Sequence, residues 1–401
     1  MYEVPPTAGL PLRWQDLLPG PRDRLAAGLE TLTGLPAQLE CSGTACLVLA
    51  LNALRVGSRR SRVVIPAYTC PLVPLAIRYA GLQVELCDLA PGHYDFSPDA
   101  LAAACGPDTL AIIPTHLGGR VANVAGALRA AGHVGASVIE DAAQALGARS
   151  ADTPVGTLGD AGFFSLAVGK GLTTFEGGVL VARDPLLREA VRIEAARLIR
   201  RRPLIEIRRS LELLAYAVGY NPRALTMTYG WPLRRRLREG NLLAAVGDDL
   251  NGSIPLHRVS AWRLATAGRA LDRLPTFQQG LEIQARHRCA QLQALSGVRV
   301  LVDAPGDRGV WPVLMVLMPG VVERDAALAS LWRSGLGVGR MFLHAVPDYP
   351  YLQQVVSAAD VPNARSFAAH MLTVSNSPWL DEARFATVLA AIGAAAQRGH
   401  Y

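Results

Sequence analysis

SVIEDAAQALGARSADTPVGTLGDAGFFSLAVGKG, residues 137–171, decides the fold. It opens with a β-branched run that ends on Asp141, and a second strand-like run, AGFFSL (161–166), follows. Five residues after Ser165 stands Lys170, and Asp141 precedes that lysine by 29 residues. Short strands that end on polar residues suit a sheet whose ligands bind beyond its carboxyl ends. Lys170 is also the only lysine in the chain; the other 39 basic residues are arginine. Arginine keeps its proton in any protein setting, whereas a desolvated lysine can become a nucleophilic amine. A genome-wide arginine bias with one surviving lysine explains the composition equally well.

Outward from that segment the pattern alternates between residues 40 and 185. TACLVLALNALRV reads as a helix from Thr44 to a glycine stop at Gly57, and RVVI (62–65) as a strand. PLVPLAIRYA is a helix ending at Gly81, and QVELCD (83–88) a strand. Ser97-Pro98 caps another helix, TLAIIPTH (109–116) is a strand, and VANVAGALRAA is a helix. GGVLVAR (177–183) is a further strand. Such alternation predicts parallel βαβ units with helices on both faces. Thr115, His116, Asp141 and the loop after Ser165 then fall at the ligand end of the sheet. The segment 185–245 reads as helical, basic and partly amphipathic. A helix runs through RVSAWRLATAGRALDRL from about 257, and VRVLV and VWPVLMVLM supply strands of a smaller α+β domain.

The 401 residues suffice for two or three domains, and 50% hydrophobic with 18% charged residues excludes a disordered or fibrous chain. No apolar run reaches the ~18 residues of a membrane span, and the first residues lack the pattern of a secretory signal. The six cysteines (41, 46, 70, 87, 105, 289) form neither a disulfide framework nor a paired metal pattern. A cytoplasmic protein with reduced thiols is expected. The net charge of +7 is local: residues 197–238 hold eleven arginines and two glutamates, which is +9, so the remainder carries −2. That distribution argues against a broad nucleic-acid face.

Two apparent phosphate motifs fail. A GxxxxGK[ST] loop would need glycine where Phe164 stands and Ser or Thr where Gly171 stands, and HLGGRVANVAG has the wrong spacing for a dinucleotide site. What remains is CSGTA (41–45), PTHLGGRVAN (114–123), EDAAQA (140–145), Ser165 with Lys170, and FEGG (175–178). These blocks, in this order, resemble the DegT/StrS family of pyridoxal-phosphate sugar aminotransferases, and the resemblance runs without gaps over about 41–184.

The resemblance implies the aspartate-aminotransferase fold (fold type I), an α/β architecture with a mostly parallel seven-stranded sheet flanked by helices and a smaller α+β C-terminal domain. It suggests an arm at 1–19, a cofactor-binding domain at 20–255 including the basic insert 197–238, and a small domain at 256–401. Lys170 would join the aldehyde of pyridoxal 5′-phosphate and then move protons; Asp141 would hold the ring nitrogen's proton. Gln144 would reach the ring hydroxyl. Gly43, Thr44 and Ala45 at a helix start, with the Ser165 hydroxyl, would hold the phosphate. Lysine rather than histidine at position 170 favours transamination over dehydration. His116 is expected to serve the sheet end, and His344 is a candidate for substrate contact.

Two positions depart from the family pattern. PAYTC puts Cys70 where an aromatic or histidine usually covers the ring, with Tyr68 as the candidate compensation. LHRVSAWR (256–263) keeps Arg258 and Ser260 but has Leu256 where an asparagine reaches the neighbouring subunit, leaving Asn251 as a shifted substitute. The resulting expectation is a homodimeric aminotransferase passing an amino group, from glutamate, to a keto sugar linked to a nucleotide. No nucleic acid is expected, and the insert 197–238 is either a solvated face or a contact to an acidic surface: an anionic membrane, a nucleotide diphosphate or a protein partner. The second reading is a non-catalytic relative acting as a binding subunit, which the losses at positions 70 and 256 would favour.

Overall fold

Seven short strands form one sheet. In the computed structural model, which describes residues 2–21, 23–250 and 254–397, these strands are β1 (Gln38–Glu40), β2 (Arg62–Pro66), β3 (Gln83–Cys87), β4 (Thr109–Ile112), β5 (Ser137–Asp141), β6 (Ala161–Ser165) and β7 (Gly178–Ala182). Their order is β1-β7-β6-β5-β4-β2-β3. The pairs β3–β2, β2–β4, β4–β5 and β5–β6 are parallel, and β7 runs antiparallel to both neighbours. The connecting helices are α1 (Arg24–Thr33), α2 (Gly43–Arg55), α3 (Leu72–Tyr79), α4 (Pro98–Ala104), α5 (Val124–Val134), α6 (Pro185–Leu198) and α7 (Pro203–Gly219). Strands buried on both faces need continuous apolar sequence, and β4 (TLAI) and β7 (GVLVA) are buried at every position. Helix α2 is apolar all round because it lies inside the molecule: Ala45 through Leu51 are all buried.

The expected strand 109–116 stops at Ile112, because Pro114 has no N–H for a ladder; Thr115 regains one bridge to Asp141. The helix expected from about 257 begins at Ala261, with the Ser260 side chain accepting from the Arg263 N–H. A second sheet is antiparallel: β8 (Arg299–Val300), β9 (Val313–Leu317), β10 (Val338–Gly339) and β11 (Met371–Ser375), in the order β8-β9-β11-β10. Helices Val321–Leu331 and Glu382–Ala396 cover it through Leu328, Phe385, Val388 and Ile392.

The chain ends are stitched across this architecture. Val4 and Ala8 sit in the core of the second sheet, while Leu10 and Leu12 join Leu166 and Leu172 behind the main one. The Leu10 N–H donates to the Gly171 carbonyl at 3.0 Å, bracing the loop that carries Lys170. In the other direction Val346, Tyr349, Leu352 and Val356 return to the main core. Among the described residues no helix is long and apolar enough to cross a membrane.

Candidate active site

Strand direction gathers the chemistry. Since β1 is antiparallel to β7 and β7 to β6, β1 runs with the parallel set, and the start of α2 lies at the same end as the carboxyl ends of β4, β5 and β6. A cavity of about 680 Å³ opens there. Of the residues expected from sequence, Gly43, Thr44, Cys70, Asp141, Gln144, Ser165 and Lys170 line it, and Ala45 and His344 do not.

Asp141 ends β5 with 4% of its surface exposed. One carboxylate oxygen accepts from the Ala143 N–H at 3.1 Å, and the other makes no hydrogen bond among the described residues. Burial raises its pKa, against the Ala143 N–H, Lys170 and His116, which lower it. Lys170 follows Gly169, whose φ of +80° turns the loop; a Cβ there would also lie 2.4 Å from Thr7 Oγ1. Burial pushes the Lys170 ammonium below the ordinary lysine range, while Cys70 and Asp141 pull it back up. The Lys170 Nζ makes no hydrogen bond among the described residues. An acid and an amine with opposed shifts in one cavity is the arrangement acid–base work requires.

The α2 start leaves backbone donors unpaired beside the cavity. Ser42 Oγ accepts from the Ala45 N–H at 3.0 Å, so the last residue of SGTA has spent its donor and faces the core. The Gly43 and Thr44 N–H groups, in the first turn, have no partner within the helix. Two glycines make room: a Cβ on Gly178 would lie 2.3 Å from the Ser42 carbonyl oxygen, and one on Gly43 3.4 Å from the Ser165 Cβ. Ser165 is thus adjacent to the helix start, its Oγ accepting from the Ala167 N–H and its own proton unspent.

Gln144 is anchored by its carbonyl, which accepts from the Gly118 N–H at 2.7 Å, leaving its amide nitrogen only a 3.4 Å contact with Met341 Sδ. His116 serves the sheet end, as expected, although its residue also borders the cavity. Its Nδ1 accepts from the Ala122 N–H, which puts the ring proton on Nε2 facing Glu140 at 3.0 Å. Glu140, fully buried, further accepts from the N–H groups of Gly156, Leu158 and Gly159. Sequence reasoning passed over Glu140, although an acid next to Asp141 inside a buried strand was a visible signal.

Cys70 sits in the cavity wall with its thiol pushed up to about 12 by burial. Tyr68 does not compensate. It is turned into the core, its hydroxyl donating to the Phe342 carbonyl and its ring against Phe342 and Phe367. Phe342 itself lines the cavity, an aromatic from the C-terminal half that local sequence could not place. His344 packs edge-on to Tyr349 at 5.3 Å, and its backbone N–H donates to the Tyr349 hydroxyl. Leu256 is buried in the main core, and Asn251 lies outside the described residues.

The rim was not foreseen. Glu176 of FEGG and Arg208 and Arg209 of α7 line the mouth. Arg209 is held by Glu176 at 2.5 Å and Glu212 at 2.8 Å, whereas Arg208 has only an exposed pair with Glu212. Glu206, also on α7, accepts from the Ser260 N–H and from Arg263, which in turn donates to the Thr174 carbonyl. The inner face of the basic insert is therefore part of the site's wall.

The fold is that of fold type I, and in its cavity an amine, an acid and a helix start face one space. Residues 30–224 match the model of the DegT/DnrJ/EryC1/StrS aminotransferase family. It is 40% identical over 151 residues to Protein MosB of Rhizobium meliloti, covering 38% of this chain and 30% of MosB. It is 36% identical over 170 residues to UDP-N-acetyl-3-dehydro-α-D-glucosamine 3-aminotransferase of Acidithiobacillus ferrooxidans, covering 42% and 46% of the two chains. The matched part thus spans less than half the length of these curated relatives. The solved structure of DesI, determined in the presence of its TDP-sugar product, superposes with a TM-score of 0.73 at 22% identity, covering 100% of this chain and 95% of that one.

Proposed function

We propose that this chain is a pyridoxal-phosphate-dependent aminotransferase that aminates a keto sugar. The observation that carries the reading is the convergence of Lys170, Asp141 and the unspent α2 donors on one cavity. The residues fit the cofactor: Asp141 has a free carboxylate oxygen for a ring N–H, Gln144 an available amide N–H, and Gly43, Thr44 and Ser165 three donors for a phosphate. When bound, pyridoxal 5′-phosphate supplies an aldehyde to carry the amine and a ring that takes up electrons as a neighbouring carbon loses its proton. The protein does the rest. Asp141 holds the proton on the ring nitrogen. Lys170, shifted toward its neutral form by burial, takes a proton at Nζ from one carbon and returns it to the carbon two atoms along. Phe342 and Cys70 line the cavity around the reacting groups.

Arg208 supports a substrate with an anionic tail, such as a nucleotide diphosphate. Its surroundings leave it available, because an exposed i,i+4 pair contributes only ~0.3–0.5 kcal/mol. The A. ferrooxidans relative, named for a UDP-linked sugar, supports the same substrate class. The donor is read as glutamate. The test offers glutamate and a panel of keto sugars, free and nucleotide-linked, and reads amine formation by mass. Amination of a nucleotide-linked ketone, with a raised KM in Arg208→Gln and kcat retained, is expected. Amination confined to free sugars would overturn the anionic-tail assignment, and no amination of any ketone would overturn the reaction.

A further inference from the structure

Helix α7 has two faces of different character. The inner one is locked to the body: Glu206 reaches Ser260 and Arg263, Leu213 is fully buried, and Tyr216 and Tyr220 stack at 4.6 Å. The outer one carries Leu204, Ile207, Leu211, Leu214 and Val218, exposed by 81%, 58%, 61%, 44% and 74%. Steps of 3, 4, 3 and 4 residues set these five on one stripe along a 17-residue helix. A contiguous stripe of large apolar side chains on a surface marks a contact with something not yet present.

Charge selects the partner. Arg200, Arg201 and Arg202 stand immediately before the helix and Arg223 just after it. Arg201, Arg202 and Arg223 are exposed and make no ion pair among the described residues. Two copies packed through this stripe would bring two segments of net +9 together, and juxtaposed like charges oppose association. A surface that is both apolar just below its boundary and negatively charged satisfies both features.

We propose that α7 is an interfacial helix that docks the enzyme on an anionic lipid surface, its leucine stripe entering the headgroup–acyl boundary and the flanking arginines meeting lipid phosphates. The cavity mouth, which Arg208 and Arg209 of the same helix border, then lies beside the membrane.

The test is co-sedimentation of the full chain, loaded with pyridoxal phosphate, with vesicles. Vesicles of phosphatidylcholine containing roughly one-third phosphatidylglycerol should pellet about tenfold more protein than pure phosphatidylcholine, and raised salt should reverse the difference. The double variant Leu204→Ser/Leu211→Ser and the double variant Arg201→Glu/Arg202→Glu should each lose most of that binding. Both change exposed positions away from the cavity, and an unaltered melting temperature shows that each is folded. Equal pelleting on both lipids, or binding that survives both variants, overturns the proposal. So does a Leu204→Ser/Leu211→Ser variant whose oligomeric mass in solution changes, because the stripe would then be a protein–protein seam.

Discussion

Replacing Gly178 by alanine tests how the cavity holds an anion. The new Cβ would lie 2.3 Å from the Ser42 carbonyl oxygen, 2.4 Å from its carbonyl carbon and 2.7 Å from the Gly43 nitrogen, all backbone atoms that no rotamer can move aside. Ordinary contact begins at 3.4 Å, so the two segments must part by about 1 Å. Strand β7 is held on both edges by β1 and β6, so the softer partner is the start of α2. Overpacking of this kind costs ~1–3 kcal/mol, and moving the Gly43 and Thr44 donors by ~1 Å spends much of that on the bound phosphate. Pyridoxal phosphate affinity should fall about 10–100-fold. Affinity for pyridoxal, which has no phosphate, should change far less. Titrating apo protein with each compound by absorbance measures the ratio, and a melting curve confirms that the variant is folded. A folded variant that binds both compounds as the parent does would refute the geometry.

Three further outcomes concern Lys170, Glu140 and Ser42. The Lys170 pKa is lowered from its ordinary 10.5 by burial. Between that folded value and 10.5 the unfolded chain holds a proton that the native chain lacks, so this group's contribution to apo-protein stability rises with pH and is least favourable below the window. Lys170→Met should therefore be more stable than the parent at neutral pH, with the gap narrowing as pH rises toward 10.5; urea unfolding at several pH values reads it, and a gap independent of pH would refute the burial argument. Glu140→Ala strands the N–H groups of Gly156, Leu158 and Gly159 and the His116 ring proton, at ~1–3 kcal/mol each. A loss of at least ~3 kcal/mol in urea is expected, with Glu140→Gln less severe. Ser42→Ala removes the α2 cap and should cost about 1 kcal/mol of stability, read by the same urea titration.

Much of the site could be read from the sequence because its residues sit at fixed offsets from strand ends. Asp141, Ser165 and Lys170 belong to consecutive segments at the carboxyl end of one sheet, and Ser42 directly precedes the helix it caps. The sheet order could not be read locally, since the neighbour of β1 is β7, 138 residues later from Glu40 to Gly178 in register. The same limit hid Phe342, which reaches the cavity from the far side of the chain, and made Tyr68 look available when its hydroxyl is committed to the Phe342 backbone. Ala45 looked like a third phosphate donor because spacing cannot reveal that Ser42 already accepts its N–H. The insert 197–238 showed its charge in sequence but not its two faces. Only the fold distinguishes Glu206, tied to Arg263, from Leu204 and Leu211 on the outside.

On the proposed reading one amine, that of Lys170, carries the cofactor. Protein loaded with pyridoxal phosphate should show a visible absorbance band that borohydride removes, and peptide mapping of the reduced sample should find the added mass on Lys170. A band and a label that persist in Lys170→Ala, or no label on the parent protein despite bound cofactor, would contradict the account.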